Sequence, residues 1–302
     1  MTSGRRTPLD YLFFMRPVLL PPVWTIALLG TIGGENSSHS PLLWALFLLQ
    51  LSCLFGAVYT LNQTCDIESD RLNRKLHFLP DGIISLRAAW VFTAVLNVFA
   101  LAAAFAFGVP YVVLTILLIA LGVVYSVGHR PWKNQPLMGL AANCLGHGAI
   151  VFLLGAAFAG RPVLDGILGS LGYTAAVFGV YLATTVPDYE GDRRTGKQTA
   201  AVVWGQKLTM IVATVCVGAA AVLGAWRGDR YLAFAAVATW PFFLRATLAP
   251  GTASTAAKAG VAALSIAAAI AYPMYLVLLV LGFLGTRLFF HWRFGITYPT
   301  LK

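Results

Sequence analysis

Nine apolar runs, each close to 20 residues long, follow one another along this chain and leave little room for anything else. They fall at roughly 9–33, 41–64, 86–107, 109–127, 137–160, 163–187, 207–226, 230–249 and 256–284. About 20 apolar residues wound as a helix cross a hydrocarbon core of about 30 Å. In lipid only helices and closed barrels satisfy their own backbone. The runs are rich in Leu, Ala and Val and lack strict alternation, which argues against strands. Charged residues make up only 11% of the 302 residues, against about 25% in soluble domains. The expected fold is therefore all-α, a polytopic membrane protein with nine transmembrane helices. One domain over 1–302 is expected rather than two soluble ones.

The N-terminal MTSGRRTPLDYLFFMRP has two arginines before an apolar run. That run continues past Pro21 and Pro22 to full span length without an obvious small-residue cleavage site. It is expected to be a first helix, not a signal peptide. The four cysteines are scattered and show no metal-ligand spacing, so neither a disulfide nor zinc is expected. The net charge is +10. The basic residues sit in short loops between apolar runs, which favours anionic headgroups and a phosphorylated substrate over nucleic acid. With nine spans, fifteen Lys and Arg fall on the N-terminal side and six on the other. Positive-inside bias then places the N-terminus and the most charged connections in the cytoplasm.

Six of the eleven carboxylates are confined to two five-residue stretches, Asp66 to Asp70 and Asp188 to Asp192. YTLNQTCDIESDRLNRK is echoed without gaps, 122 positions on, by YLATTVPDYEGDRRTGK. Tyr59 corresponds to Tyr181, and Asp66, Glu68, Asp70, Arg71 and Lys75 to Asp188, Glu190, Asp192, Arg193 and Lys197. The first copy follows the second run and the second copy follows the sixth. The expected unit is a four-helix pseudo-repeat, at about 9–127 and 137–249, plus an extra helix at about 256–284.

Read as a continuous helix, each copy puts its aspartates on one face: Asn62, Asp66 and Asp70 at i, i+4 and i+8 with Tyr59 one turn earlier, and Thr184, Asp188 and Asp192 likewise with Tyr181 one turn earlier. Aspartates at that spacing repel, and a divalent cation removes the repulsion. Hard oxygen donors favour Mg2+, which shares its shell with phosphates and water. Arg71, Arg74, Lys75, Arg193, Arg194 and Lys197 supply cations able to grip a diphosphate. Two solvated loops at the headgroups are the plainer alternative.

These residues resemble the UbiA superfamily of intramembrane prenyltransferases, which has nine transmembrane helices and aspartate-rich motifs after the second and sixth. NQTCDIESD matches the first motif at Asn62, Asp66 and Asp70. DYEGDRRTGKQT matches the second at Asp188, Asp192, Gly196, Lys197 and Thr199. Tyr125, Ser126 and Lys133, in YSVGHRPWK, resemble the segment after the fourth helix. Two departures stand out: Gln63 replaces a usual aspartate, and LHFLPDG replaces a Pro and a basic residue.

The resemblance implies that Mg2+ held by Asp66, Asp70, Asp188 and Asp192 binds an isoprenyl diphosphate donor. Asn62 is expected to ligate the metal or to orient Asp66. Ionisation of the donor gives an allylic cation, and an aromatic or lipid acceptor then attacks within the bilayer. Cation-facing candidates are Tyr59, Tyr125 and Tyr181; an interfacial aromatic belt is their alternative. Arg130 and Lys133 are candidate phosphate contacts. Glu68 and Glu190 are expected as solvated partners of Arg71 and Arg194, and Arg16 as a helix anchor, with a phosphate contact as its alternative. Asn143 and His147 are expected as a hydrogen-bonded interhelical pair. Asp165 and Asp229 are assigned no chemistry, and TRLFFHWRFGITYPTLK reads as an interfacial tail. Two other readings are a UbiA-type terpene cyclase with the same metal site and an ion-coupled secondary transporter.

Overall fold

The computed structural model describes residues 6–34, 39–72, 77–194 and 196–299. Ten helices among them are long and apolar enough to cross a membrane. They are α1 (Pro8–Thr31), α2 (Pro41–Cys65), α3 (Leu86–Phe107), α4 (Val109–Ser126), α5 (Pro136–Phe158), α6 (Val163–Thr185), α7 (Gln206–Arg227), α8 (Arg230–Leu248), α9 (Pro250–Ala271) and α10 (Met274–Phe294). No strand occurs among the described residues. The first eight fall where the apolar runs predict them.

The ninth run is two helices instead of one. Helix α9 ends at Tyr272, whose φ of −133° and ψ of 82° lie outside the helical region. The cause is Pro273: it has no N–H to donate and disfavours helical geometry in the residue before it. The expected interfacial tail is corrected by the same finding, because Thr286 to Phe294 form the end of α10.

The chain divides into two compact units, one of residues 1–24, 39–127 and 274–302 and one of 25–38 and 128–273. In the first, Phe13, Phe14, Phe78, Phe289 and Phe290 form an aromatic core with Leu79 and Ile84. Phe13 stacks on Phe289 at 3.9 Å between ring centroids. Beside them Arg293 donates to fully buried Asp10, Nε to Oδ1 at 2.9 Å and Nη2 to Oδ2 at 3.1 Å. Asp10 also accepts from the Thr7 backbone N–H at 2.8 Å, so the charge is compensated on several sides. The unusual LHFLPDG stretch is explained here: Phe78 and Leu79 are core residues, and His77 meets Asp81 at 2.9 Å. Deeper in the unit, buried Gln50 donates to the Ala100 carbonyl at 3.1 Å and accepts from the Tyr111 hydroxyl at 2.7 Å. Such pairing is what a polar side chain requires in an apolar interior.

The second unit packs its helices through small residues, as membrane bundles do. A Cβ at Gly155 would overlap the Ala27 carbonyl oxygen, and one at Gly30 would overlap that of Phe152. The two glycines therefore let the end of α1 and helix α5 approach backbone to backbone. Cys144–Ile150, in the middle of α5, is wound as a π-helix.

Candidate active site

Each unit carries one acidic segment at the end of a long apolar helix. In the first, α2 ends at Cys65, Asp66 caps it in a non-helical conformation (φ −111°, ψ 13°), and a short helix runs Ile67–Leu72. The Asp70 N–H donates to the Asp66 carbonyl at 2.8 Å, which keeps the two aspartates one turn apart. In the second, α6 ends at Thr185, Pro187 follows, and the short helix is Tyr189–Arg194. There the Asp192 N–H donates to the Asp188 carbonyl at 2.9 Å. The expectation of one continuous helix is thus corrected in both copies. The four-residue step between aspartates holds; the step from Asn62 to Asp66 crosses a helix end.

Asn62, Asp66, Asp70 and Asp192 are half-buried, and Asp188 is exposed. Lys197 Nζ lies 3.8 Å from Asp192 Oδ1. The turn between them closes through the Lys197 N–H to the Asp192 carbonyl at 2.9 Å. Gly196 makes that turn at φ +73°, a conformation that suits glycine. Arg193 is exposed and donates to the Tyr189 hydroxyl at 3.4 Å; Arg71 is exposed and reaches the Pro80 carbonyl at 3.5 Å. Lys75 and Arg74 lie outside the described residues. Arg130 is exposed in the connection after α4, and Lys133 is half-buried in a turn before α5. Glu68 and Glu190 are exposed, and among the described residues neither pairs with Arg71 or Arg194, which corrects that expectation.

The departure at Gln63 has a packing reason. Its buried amide donates to the Phe14 carbonyl at 2.9 Å and to the Tyr59 carbonyl at 3.1 Å. An aspartate there would set an oxygen against those carbonyls. Tyr59 donates its hydroxyl to the Leu19 carbonyl at 3.2 Å, while Tyr125 and Tyr181 are half-buried at the ends of α4 and α6. Asn143 donates within its own helix to the Gly139 carbonyl at 2.8 Å, and His147 meets the Asn143 backbone. The expected interhelical pair is therefore an intrahelical arrangement at the π segment.

Among the described residues three buried polar atoms have no hydrogen-bond partner: Arg16 Nε, Ser126 Oγ and Thr199 Oγ1. Unpartnered buried groups are uncommon, and these adjoin the segments just described. Arg16, moreover, is a non-glycine residue in the left-handed region at φ 57°, held there ahead of Pro17, with its charge close enough to act on Tyr59. Backbone strain of that kind concentrates at functional sites. The strain favours the phosphate alternative for Arg16 over the helix anchor. The available signal was an arginine before a proline, a position barred from ordinary helix geometry.

Among the described residues no three His, Cys, Asp or Glu side chains converge on one point. What each unit offers is two carboxylates one turn apart with basic side chains nearby. Hard oxygens in that number suit Mg2+, which completes its shell with water and phosphate rather than with a full protein cage.

The sequence pattern of the UbiA prenyltransferase family matches residues 20–258. Homogentisate phytyltransferase of Synechocystis sp. is 32% identical over 222 residues, 68% of this chain and 71% of that protein. Digeranylgeranylglyceryl phosphate synthase of Methanoculleus marisnigri is 31% identical over 220 residues, 70% of this chain and 76% of that one. A solved UbiA homolog from Archaeoglobus fulgidus, bound to GPP and Mg2+, shares the fold with a TM-score of 0.67 at 21% identity, over 85% of this chain and 99% of that one.

Proposed function

The chain belongs to the UbiA prenyltransferase family and is an intramembrane prenyltransferase; we propose that it transfers an isoprenyl group from an isoprenyl diphosphate to a small aromatic or lipid acceptor, with Mg2+. One observation carries this reading. Two long apolar helices, in two separate units, each end in an Asp-x-x-x-Asp step followed by arginine. We read the two copies as the marks of a four-helix pseudo-repeat retained for one reaction.

Asp66 and Asp70 form one carboxylate pair for metal, with Asn62 beside them, and Asp188 and Asp192 form the other. When bound, Mg2+ neutralises charge on the leaving diphosphate. Arg71, Lys75, Arg130, Lys133, Arg193 and Lys197 bind and orient the phosphate oxygens. Arg16 joins them, its unpartnered Nε being a donor in need of an acceptor. The faces of Tyr59, Tyr125 and Tyr181 stabilise the allylic cation, and the apolar helices exclude the water that would quench it. The packing role of Gln63 accounts for the missing aspartate without a change of reaction.

With ten spans, Arg287, Arg293 and Lys302 join the N-terminal side. The count becomes eighteen basic residues there and three on the other side. We accordingly place both termini and both acidic segments in the cytoplasm.

The test is product mass. Purified protein is given isoprenyl diphosphates of several lengths with Mg2+, with and without an acceptor mixture. A product equal to donor plus acceptor less diphosphate is expected. A hydrocarbon made without acceptor would mean cyclisation, and ion-driven uptake into vesicles without diphosphate release would mean transport.

A further inference from the structure

The three basic residues left on the other side, Arg161, Arg227 and Arg230, do not scatter. All three line one cavity of ≈ 500 Å³ in the second unit, a size typical of ligand pockets. It lies at the start of α6 and the end of α7. The acidic segment of the same unit follows the other end of α6, 23 residues and about 34 Å away at 1.5 Å per residue. The cavity is therefore separate from the catalytic segment.

Its charges can be followed one by one. Arg161 is committed to the fold. Its Nε and Nη2 donate to Asp165 Oδ2 at 2.9 and 2.6 Å, and its Nη1 donates to the Gly30 and Ile32 carbonyls at 3.2 and 3.0 Å. The other Asp165 oxygen accepts from Arg227, so one carboxylate serves two guanidiniums. Asp229 is engaged as well. Its Oδ1 caps α8 by accepting from the Tyr231 and Leu232 N–H groups at 3.1 and 3.0 Å, and its Oδ2 accepts from the Tyr173 hydroxyl at 2.8 Å. Among the described residues Arg230 meets the ring and hydroxyl of Tyr231, at 5.1 Å to the centroid and 3.2 Å. The cavity is thus lined by three guanidiniums and one carboxylate, Asp229, while Asp165 pairs with Arg161 and Arg227, so both carboxylates are already engaged. The cap end of α8 adds its own positive dipole. Between the charges its wall is apolar, with Leu29, Phe152, Leu168 and Leu223, and Leu164 and Trp226, next in sequence to Asp165 and Arg227, are 68% and 69% exposed. Exposed Trp beside charge marks headgroup depth in a membrane protein.

We propose that this cavity binds the phosphate of an anionic amphiphile, at the end of α6 opposite the acidic segment of the same unit, with Arg230 and Arg227 as its donors and the acyl chains lying over Leu164 and Trp226. A phospholipid of the bilayer is the source that the apolar rim favours; free phosphate shares the chemistry and is separated from it by experiment.

The full chain, in detergent with chelator present, is titrated with phosphatidylglycerol, phosphatidylcholine and inorganic phosphate, and retained ligand is read by native mass spectrometry. Phosphatidylglycerol is expected to bind at least about tenfold more tightly than phosphatidylcholine. Arg230→Gln should erase about tenfold of that affinity, as loss of a charge-assisted contact does, and Arg230→Lys should restore part of it. Arg230 is exposed and its hydrogen bond among the described residues is to its neighbour Tyr231, so its replacement is expected to leave folding intact. Asp188→Ala should leave lipid retention unchanged. Displacement of the lipid by inorganic phosphate at millimolar concentration would support the anion site with a free anion as its occupant. Equal binding of the two lipids, or wild-type binding by Arg230→Gln, would overturn the proposal.

Discussion

In the first acidic segment the helix stops at Cys65 and restarts one residue later, whereas in the second it stops at Thr185 and Pro187 delays the restart. The first is fastened from behind, through the buried Gln63 amide and the aromatic core. The second is fastened from in front, through the Gly196 turn that returns Lys197 to Asp192. Yet both close the same i to i+4 backbone hydrogen bond between their aspartates, at 2.8 and 2.9 Å. Two different scaffolds converge on one carboxylate spacing. On the proposed function the spacing is what the chemistry needs, and the route of the chain into it is free to differ.

The largest effects should come from attacking what the segments share. Asp70→Asn and Asp192→Asn should each lower kcat/KM for the donor by about 10²–10³-fold, the cost of removing one preorganised electrostatic contributor. Steady-state kinetics checks this, and a large loss in only one variant would break the equivalence. Chelation should abolish turnover of the wild type, and added Mg2+ should restore it.

Attacking what differs should separate stability from activity. Gln63→Asp, which restores the family's usual residue, should destabilise the protein by roughly 1–3 kcal/mol, because a buried acceptor then faces two carbonyls. Thermal unfolding in detergent reads the loss; a gain in metal affinity at unchanged stability would refute the packing role. Gly196→Ala should cost about 1–2 kcal/mol locally through its positive φ and raise KM for the donor without touching the first segment. The smallest effect belongs to Lys197→Gln. Its side chain is half exposed and 3.8 Å from Asp192, so KM should rise by less than about tenfold.

Most of the fold was legible because hydropathy over 20 residues is a strong signal, and eight helices lie where their apolar runs do. The ninth run concealed a break because Pro273 sits inside continuous apolar sequence and tilts no hydropathy average. The break at Asp66 was hidden for a related reason: the i, i+4 pattern of Asn62, Asp66 and Asp70 suits a continuous helix, and only the backbone shows that it stops. Gln63 looked like a missing ligand because its partners, the Phe14 and Tyr59 carbonyls, include one 49 residues away. The arginine cavity was illegible for the same reason on a larger scale. Arg161, Asp165, Arg227, Asp229 and Arg230 come from two separate connections, and folding alone brings them to one place.

The central claim is that both acidic segments serve one metal-dependent reaction. Its most direct test is equilibrium binding of an isoprenyl diphosphate to purified protein, with Mg2+ or with chelator, in the wild type, Asp66→Ala and Asp188→Ala. Metal-dependent binding that is lost in either variant is the predicted result. Binding that survives chelation, or that persists in either variant, would contradict the account.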